Sequence, residues 1–456
     1  MLTDADLMPF DPPTQPLRGL SMLWTLGRNY IETYPRSTYE QGVTRYRWGT
    51  SDMLYICDPA IIHEMLVDKA DAFSRDEVTH RAFTPVIGRT SLFLAEGPDW
   101  RWQRRAVAPI FRHETLLSFV PTIAVIAERQ VECWRARPLD VPVEIAAAMT
   151  RTTFEIIVEA ILGGSARLDA ERYGRALAAI FNTIPWHLLL SLLRAPAWMP
   201  FPGQRRARRA RDFLRADVGR IIAKRRANPS AHPDLLDLLL AARDADTDRG
   251  LNDAELVANL LTFISAGHET TAVALTWSLW LLAKDEAVQR RVYDEAVAVM
   301  GHGPVEIAHI DALPLTRQVI SESMRLFPPA PLLSRIPKTD MQLGGMAITP
   351  RTWVGIPIFA LHRNALLWDY PHAFDPDRFA PDQAKGRSRY AHLPFGAGPR
   401  VCIGANFAMI EAVVIIATLV RAFRFQTVPG HKANPIARLT LRPAGGIPLL
   451  ISAREQ

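Results

Sequence analysis

The chain has 456 residues, 48% of them hydrophobic and 22% charged, with a net charge of +6 and an isoelectric point near 9.4. That balance excludes a disordered chain and a small disulfide scaffold, and fits one large single-cored enzyme or two to three ordinary domains. Three widely spaced cysteines, Cys57, Cys133 and Cys402, argue against a disulfide framework and for a reducing compartment.

Residues 1–20 read as an irregular, proline-rich arm, and its opening acids Asp4 and Asp6 are unlike the basic start of a signal peptide. Helical spacing over 22–39 gives way to a hairpin signature: an apolar alternation from Val43 to Trp48, a turn at 49–52, and a second run at 53–57. Asp58-Pro59 opens a short helix, and residues 73–97 read as a loop with scattered apolar side chains. Gly97-Pro98-Asp99 then starts a helix carrying Trp100, Arg101, Trp102, Arg104 and Arg105. Helical patterns continue to about Asp244, broken at Pro138, at Gly163-Gly164 and over 196–203.

Arginines crowd the stretch from Arg205 to Arg226, but Phe213, Leu214, Val218, Ile221 and Ile222 interleave at helical spacing. A solvated amphipathic helix is therefore expected there in preference to a nucleic-acid-binding one. Residues 256–283 contain only His268 and Glu269 as titratable groups, so hydropathy alone nominates a membrane span. A glutamate in the middle of a lone span is costly, and a buried central helix is expected instead, with no transmembrane anchor. Asn252 and Glu255 are spaced as a capping box at its start. Further helices run to Leu326, Pro328-Pro329 stop them, and short strands, turns and loops fill 332–394. With no internal repeat or linker, residues 21–456 are expected to form a single, mainly α domain with a small β portion.

Three constellations carry chemistry. The first is the loop Phe395-Gly396-Ala397-Gly398-Pro399-Arg400-Val401-Cys402-Ile403-Gly404, which leads into an apolar helix. A thiol at a helix N-terminus is biased toward the thiolate, a ligand for soft metal centres such as haem iron. On its own, Cys402 also reads as an inert cysteine. The second is Ala266-Gly267-His268-Glu269-Thr270-Thr271, a polar defect inside an apolar helix. Ala266 and Gly267 leave room for a ligand, and Glu269 and Thr270 can relay protons to it. The third is Glu322 with Arg325 one helical turn later, and Arg378 further on as a second cation for the same carboxylate. Trp100, Arg104, Arg335 and Arg400 are candidate partners for carboxylates of the propionate type.

Taken in order, the Trp-x-x-x-Arg helix, Ala-Gly-x-Glu-Thr-Thr, Glu-x-x-Arg, Pro-x-Arg-Phe and Phe-Gly-x-Gly-x-Arg-x-Cys-x-Gly closely resemble the cytochrome P450 family over essentially the whole chain. The resemblance implies that Cys402 is the axial thiolate of haem b, with Phe395, Gly404 and Gly267 also against the cofactor. It implies that Glu269 and Thr270 deliver protons during oxygen activation. Glu322, Arg325 and Arg378 become a structural triad, and Trp100, Arg104, Arg335 and Arg400 hold the propionates. His362-Arg363-Asn364-Ala365 departs from the pattern, because a proline often follows that asparagine.

The same resemblance points to a soluble, cytoplasmic monooxygenase that uses O2 and electrons from NAD(P)H through a separate ferredoxin or flavodoxin and its reductase. Arg101, Arg105 and Arg112 are expected to contribute to a positive docking face for that partner. The substrate is expected to be a small-to-medium hydrophobic molecule (fatty acid, terpenoid or aromatic) lined by Phe83, Ile87, Phe93, Phe263, Ile264, Ala266, Leu332 and Ile447. Residues 181–203, with Trp186 and Trp198, are a second lining segment or a weak contact with a membrane surface. A haem-thiolate isomerase or dehydratase, and a haem gas sensor, are the alternative readings. No nucleic acid is expected as a partner.

Overall fold

The computed structural model describes residues 4–48, 51–138, 141–163, 169–184, 186–187, 190, 195–196, 198–230 and 234–454. The Gly49-Thr50 turn, Gly164 and residues 185, 188–189, 191–194 and 197 lie outside the described residues. The principal helices are α1 (Gly19–Arg28), α2 (Glu77–Ile87), α3 (Gly97–Val107), α4 (Val120–Arg135), α5 (Ile145–Leu162), α6 (Ala170–Phe181), α7 (Gln204–Ala227), α8 (Asp253–Lys284), α9 (Glu286–Met300), α10 (Pro314–Leu326) and α11 (Ala405–Ala422). With 57% helix and 12% strand, the architecture is mainly α with small sheets.

Contacts divide the chain into two compact units: residues 1–74, 117–152 and 270–456, and residues 75–116 and 153–269. Two of the four divisions fall inside α5 and α8 rather than in linkers.

The first unit holds the strands. Val43–Trp48 (β1) pairs antiparallel with Ser51–Ile56 (β2), as the hairpin signature predicts, in the register Val43 opposite Ile56. Phe73–Ser74 (β3), Leu333–Pro337 (β5) and Thr352–Ile356 (β6) complete a five-stranded sheet in the order β1-β2-β6-β5-β3. Val143–Glu144 (β4), Phe423–Thr427 (β7) and Pro448–Ala453 (β8) form a second sheet ordered β4-β8-β7. Gly355 in β6 sits under the Trp353 and Tyr55 rings, where a Cβ would stand 2.4 Å from Trp353. Only glycine fits that close approach.

Helix α11 is buried almost throughout, with Val413, Val414, Ile415, Ile416 and Leu419 fully enclosed. Each such side chain contributes roughly 1.5–3 kcal/mol by leaving water. By length and composition the helix could cross a membrane, but 72% of it is buried, as in a core helix. In α8, Asn252 and Glu255 make the expected reciprocal cap: Asn252 N–H donates to Glu255 Oε2 (2.9 Å) and Glu255 N–H to Asn252 Oδ1 (3.0 Å). Further along, Trp277 stacks on Phe327 at 3.9 Å and its indole N–H donates to Leu441 O at 2.8 Å.

The N-terminal arm is docked: Leu7 is 1% exposed, its carbonyl accepts from Arg363 Nη2 (3.1 Å), and Asp6 pairs with Lys284 (3.1 Å). One expectation is corrected. Residues 73–97 are not a loop: α2 occupies their centre, capped by Asp76, whose carboxylate accepts from Thr79 N–H (2.7 Å), and stopped by Gly88 at φ 74°. Pro85 inside α2 hid it, since proline removes a donor and ordinarily ends a helix.

Candidate active site

The cysteine loop belongs to the first unit and is shaped by its own backbone. Gly396 N–H donates to Leu393 O (3.1 Å), Val401 N–H to Gly398 O (3.0 Å) and Cys402 N–H to Phe395 O (2.9 Å). Gly396 and Gly398 hold φ of 71° and 72°, a region glycine enters without a Cβ penalty. Sterics add a second demand at Gly398, where a Cβ would stand 2.0 Å from Leu66 O. The loop thereby delivers Cys402 as an exposed thiol just ahead of α11. Gly404, with nothing within 4 Å of its Cβ position, keeps space open nearby. Cys57, by contrast, is buried and donates to Thr38 O at 3.4 Å, and burial pushes its thiol pKa up.

Behind this loop the structure brings Glu322, Arg325 and Arg378 together. Arg325 forms a fully buried fork on Glu322, Nε to Oε2 at 2.6 Å and Nη2 to Oε1 at 2.8 Å. Its remaining donors reach the carbonyls of His362 (2.9 Å), Pro371 (2.8 Å) and Ala373 (2.8 Å). Arg378 lies 3.5 Å from Glu322 Oε1, which also accepts from Asp375 N–H at 2.9 Å. A charge pair removed from water this completely needs every lone pair and proton matched, and the segment 362–378 supplies the partners.

Beyond its place in His362-Arg363-Asn364-Ala365, no local signal assigns His362 a role. Its Nε2 accepts from Leu393 N–H (2.8 Å), and its Nδ1 lies 3.2 Å from Arg325 O. The accepting Nε2 fixes the neutral tautomer with the proton on Nδ1. Burial, then the neighbouring His392, Arg325 and Arg363, push its pKa well below the usual histidine value. His362 therefore ties α10 to Leu393, whose carbonyl starts the cysteine loop. Glu411 was missed as well, hidden as a lone acid in the apolar run of α11. It is 1% exposed, burial raises its carboxyl pKa well above the usual range, and Thr271 is its hydrogen-bonding neighbour.

At the centre of α8, Phe263, Ile264, His268 and Glu269 are buried, yet Ala266 is exposed and Thr270 is partly open. Residues four apart share a helix face, so this face opens midway along an otherwise buried helix. Within the second unit, Gly267 is not the opening: a Cβ there would stand 3.1 Å from Ile157 Cδ1, so its smallness serves helix packing. Thr153 donates to His268 O (2.8 Å), and His268 Nδ1 lies 2.7 Å from Ile264 O.

The four propionate candidates are half-buried side chains, Trp100 and Arg104 on one face of α3, Arg335 on β5 and Arg400 in the cysteine loop. Of the lining candidates in the second unit, Phe83 and Phe93 meet at 5.0 Å and Phe263 meets Phe111 at 5.3 Å. Ile87 and Ile264 are 3% and 2% exposed, and in the first unit Leu332 is half-buried. Ile447 has no accessible surface and therefore lines no cavity; its N–H donates to Glu144 and its carbonyl accepts from Ile145 N–H. Arg105 is committed to Asp244 through two bonds (2.8 and 3.0 Å) and to Asp246 at 3.1 Å, so its charge is matched, while Arg101 and Arg112 are exposed.

The cytochrome P450 family model matches residues 12–450. Cyclooctat-9-en-7-ol 5-monooxygenase of Streptomyces melanosporofaciens is 31% identical over 92% of this chain and 90% of its own length. A cytokinin hydroxylase of Arabidopsis thaliana is 33% identical, covering 88% of this chain and 80% of that protein. The fold is that of a crystallised cytochrome P450DA heme domain, with a TM-score of 0.85, 23% identity and 97% of each chain covered. The chain belongs to the cytochrome P450 family, and it is a haem-thiolate monooxygenase.

Proposed function

We propose that this monooxygenase inserts one oxygen atom from O2 into a small-to-medium hydrophobic molecule, drawing NAD(P)H-derived electrons through a separate ferredoxin or flavodoxin. The observation that carries the reading is Cys402, held as an exposed thiol by a loop that tolerates only glycine at Gly398.

The residues fit haem b. Among the described residues no three His, Cys, Asp or Glu side chains gather as a metal site, so a metal held by Cys402 must bring its other ligands, as a macrocycle's iron does. Cys402 would be the protein ligand, with Trp100, Arg104, Arg335 and Arg400 pairing with the propionates as donors to carboxylates. Bound haem would supply the one-electron and oxygen chemistry. The chain's own part is binding, orientation and proton handling. The Thr270 hydroxyl, on the open face of α8, would hold a proton at its Oγ1, and the carboxylate of Glu269 would resupply it.

The relatives support the reaction type and leave the substrate open. At 30–33% identity their names range from cyclooctat-9-en-7-ol to cytokinin, and the aromatic contacts of Phe83, Phe93, Phe111 and Phe263 favour a lipophilic guest. Electron supply would use the exposed Arg101 and Arg112 to steer an acidic partner.

Binding spectra across a panel of fatty acids, terpenoids and aromatics test the substrate class, followed by O2 and NAD(P)H consumption with a reductase pair. The proposal expects a lipophilic compound to shift the haem spectrum and to stimulate consumption of both. Conversion of a bound compound without reductase or NAD(P)H would refute it in favour of an isomerase or dehydratase.

A further inference from the structure

Three arginines of the first unit converge on one small cleft. Arg135 is the last residue of α4, Arg421 lies in the last turn of α11, and Arg454 follows β8. Tyr293 of α9 and His302 complete the polar lining. The cleft is remote from Cys402, because Arg421 stands at the opposite end of α11, roughly 25 Å along it at ~1.5 Å per residue. It encloses about 20 Å³. A single water needs roughly 10–15 Å³ of such space, whereas pockets for drug-sized ligands run to roughly 300–1,000 Å³. The cleft is therefore ion-sized. Arg135 and His302 are exposed, so it reaches solvent.

Donors outnumber acceptors there. Arg421 Nη2 pairs with Glu128, but its Nη1 is buried with no acceptor among the described residues, and the side chain as a whole is only 10% exposed. Arg454 donates from Nε to Phe423 O (3.2 Å) and from Nη2 to Gln289 Oε1 (3.2 Å), and its guanidinium lies over the Tyr293 ring at 4.1 Å. Neither Arg454 nor Arg135 pairs with a carboxylate among the described residues. Asp294, beside Tyr293 in the chain, is engaged by Arg290 (2.9 Å). One carboxylate against three guanidiniums leaves two positive charges unmatched. Helix dipoles favour cations at the C-termini of α4 and α11, which accounts for where Arg135 and Arg421 stand. A dipole supplies no acceptor for Arg421 Nη1, and a buried donor on a charged group is costly to leave unmade. Guanidinium forks match the paired oxygens of a tetrahedral oxyanion, and two unmatched charges call for a dianion rather than chloride or a single carboxylate.

We propose that the cleft between Arg135, Arg421 and Arg454 binds a phosphate dianion, which ties the C-terminal ends of α4 and α11 to the segment after β8. The assignment is independent of the reaction and substrate proposed above.

Calorimetric titration of the haem-loaded full chain with inorganic phosphate, in sodium chloride of matched ionic strength, tests it. Phosphate also stabilises folded proteins by exclusion from their surface, so the expected result is saturable one-to-one binding with a rise in urea midpoint that follows occupancy. Arg135→Gln should weaken binding about tenfold or more. Its side chain is exposed and makes no ion pair among the described residues, so an unchanged urea midpoint without phosphate establishes that the variant is folded. Arg421→Lys keeps a charge for Glu128 but loses the fork, and should also weaken binding about tenfold. Glycerol 3-phosphate forms a second arm: weaker binding than phosphate is expected from an ion-sized cleft, and tighter binding would overturn the assignment to the free ion. No saturable binding, or binding unaffected by both arginine variants, would overturn the proposal. Glu455 follows Arg454 in the sequence, and phosphate binding that emerges only in Glu455→Gln would overturn it in favour of an internal carboxylate.

Discussion

His362 and His392 make the support of the cysteine loop sensitive to acid. His362 is fully enclosed and His392 partly so, their rings 5.0 Å apart, and Arg325 lies close to both. Burial pushes His362 well below the usual histidine pKa and His392 down to about 3. In the unfolded chain each would titrate near the ordinary value of about 6.5. Below that pH the unfolded state binds a proton that the folded state refuses, so stability falls as pH drops. The slope is about 1.36 kcal/mol per pH unit for each histidine. Between roughly pH 7.5 and 4.5 a histidine that stays neutral in the folded state therefore removes about 2.7 kcal/mol, a large part of a typical folding free energy. His362→Asn should abolish one such contribution. It should also cost about 1–3 kcal/mol at neutral pH, because Leu393 N–H loses its acceptor. Urea unfolding of parent and variant at several pH values between 7.5 and 4.5 measures both terms. The expected outcome is a variant weaker at neutral pH but with a shallower acid slope, by about 1.36 kcal/mol per unit. Parallel slopes would refute the neutral, buried assignment of His362.

Other perturbations separate the roles within the site. Gly398→Ala, with its Cβ against Leu66 O and a positive φ, should destabilise by at least about 2 kcal/mol, whereas Gly404→Ala should cost under about 1 kcal/mol; urea midpoints compare the two. Glu322→Gln leaves Arg325 as a buried charge without its carboxylate and should cost about 3–5 kcal/mol, read as loss of bound haem and an earlier thermal transition. Thr270→Ala should keep the haem spectrum and substrate binding while diverting electrons to peroxide, and unchanged coupling measured by product against NAD(P)H would contradict its proton-handling role.

The candidate site stands out in the sequence because its parts break local rules. A glycine-broken loop before an apolar helix, and polar residues inside one, violate propensity and patterning where nothing structural requires it. The capping box of Asn252 and Glu255 and the hairpin of β1 and β2 were legible because their signals are local. What escaped depends on distant partners. His362 acquires its role from Leu393 and the carbonyl of Arg325, and Glu411 from Thr271, contacts that no spacing rule reports. Gly267 misled in the opposite direction: a small residue beside a polar defect suggests room for a ligand, but Ile157 takes that room. Arg105 looked like a docking cation because Asp244 lies far away in sequence. Pro85 concealed α2 by imposing a local rule that the packing of Ala82, Val86 and Ile87 overrides.

The most direct test of Cys402 as the haem ligand is the absorption spectrum of the reduced carbonyl complex, recorded for the parent protein and for Cys402→Ser. The account predicts a red-shifted thiolate band in the parent that is absent from the variant, with Cys57→Ser and Cys133→Ser retaining it. Survival of that band in Cys402→Ser would contradict the assignment.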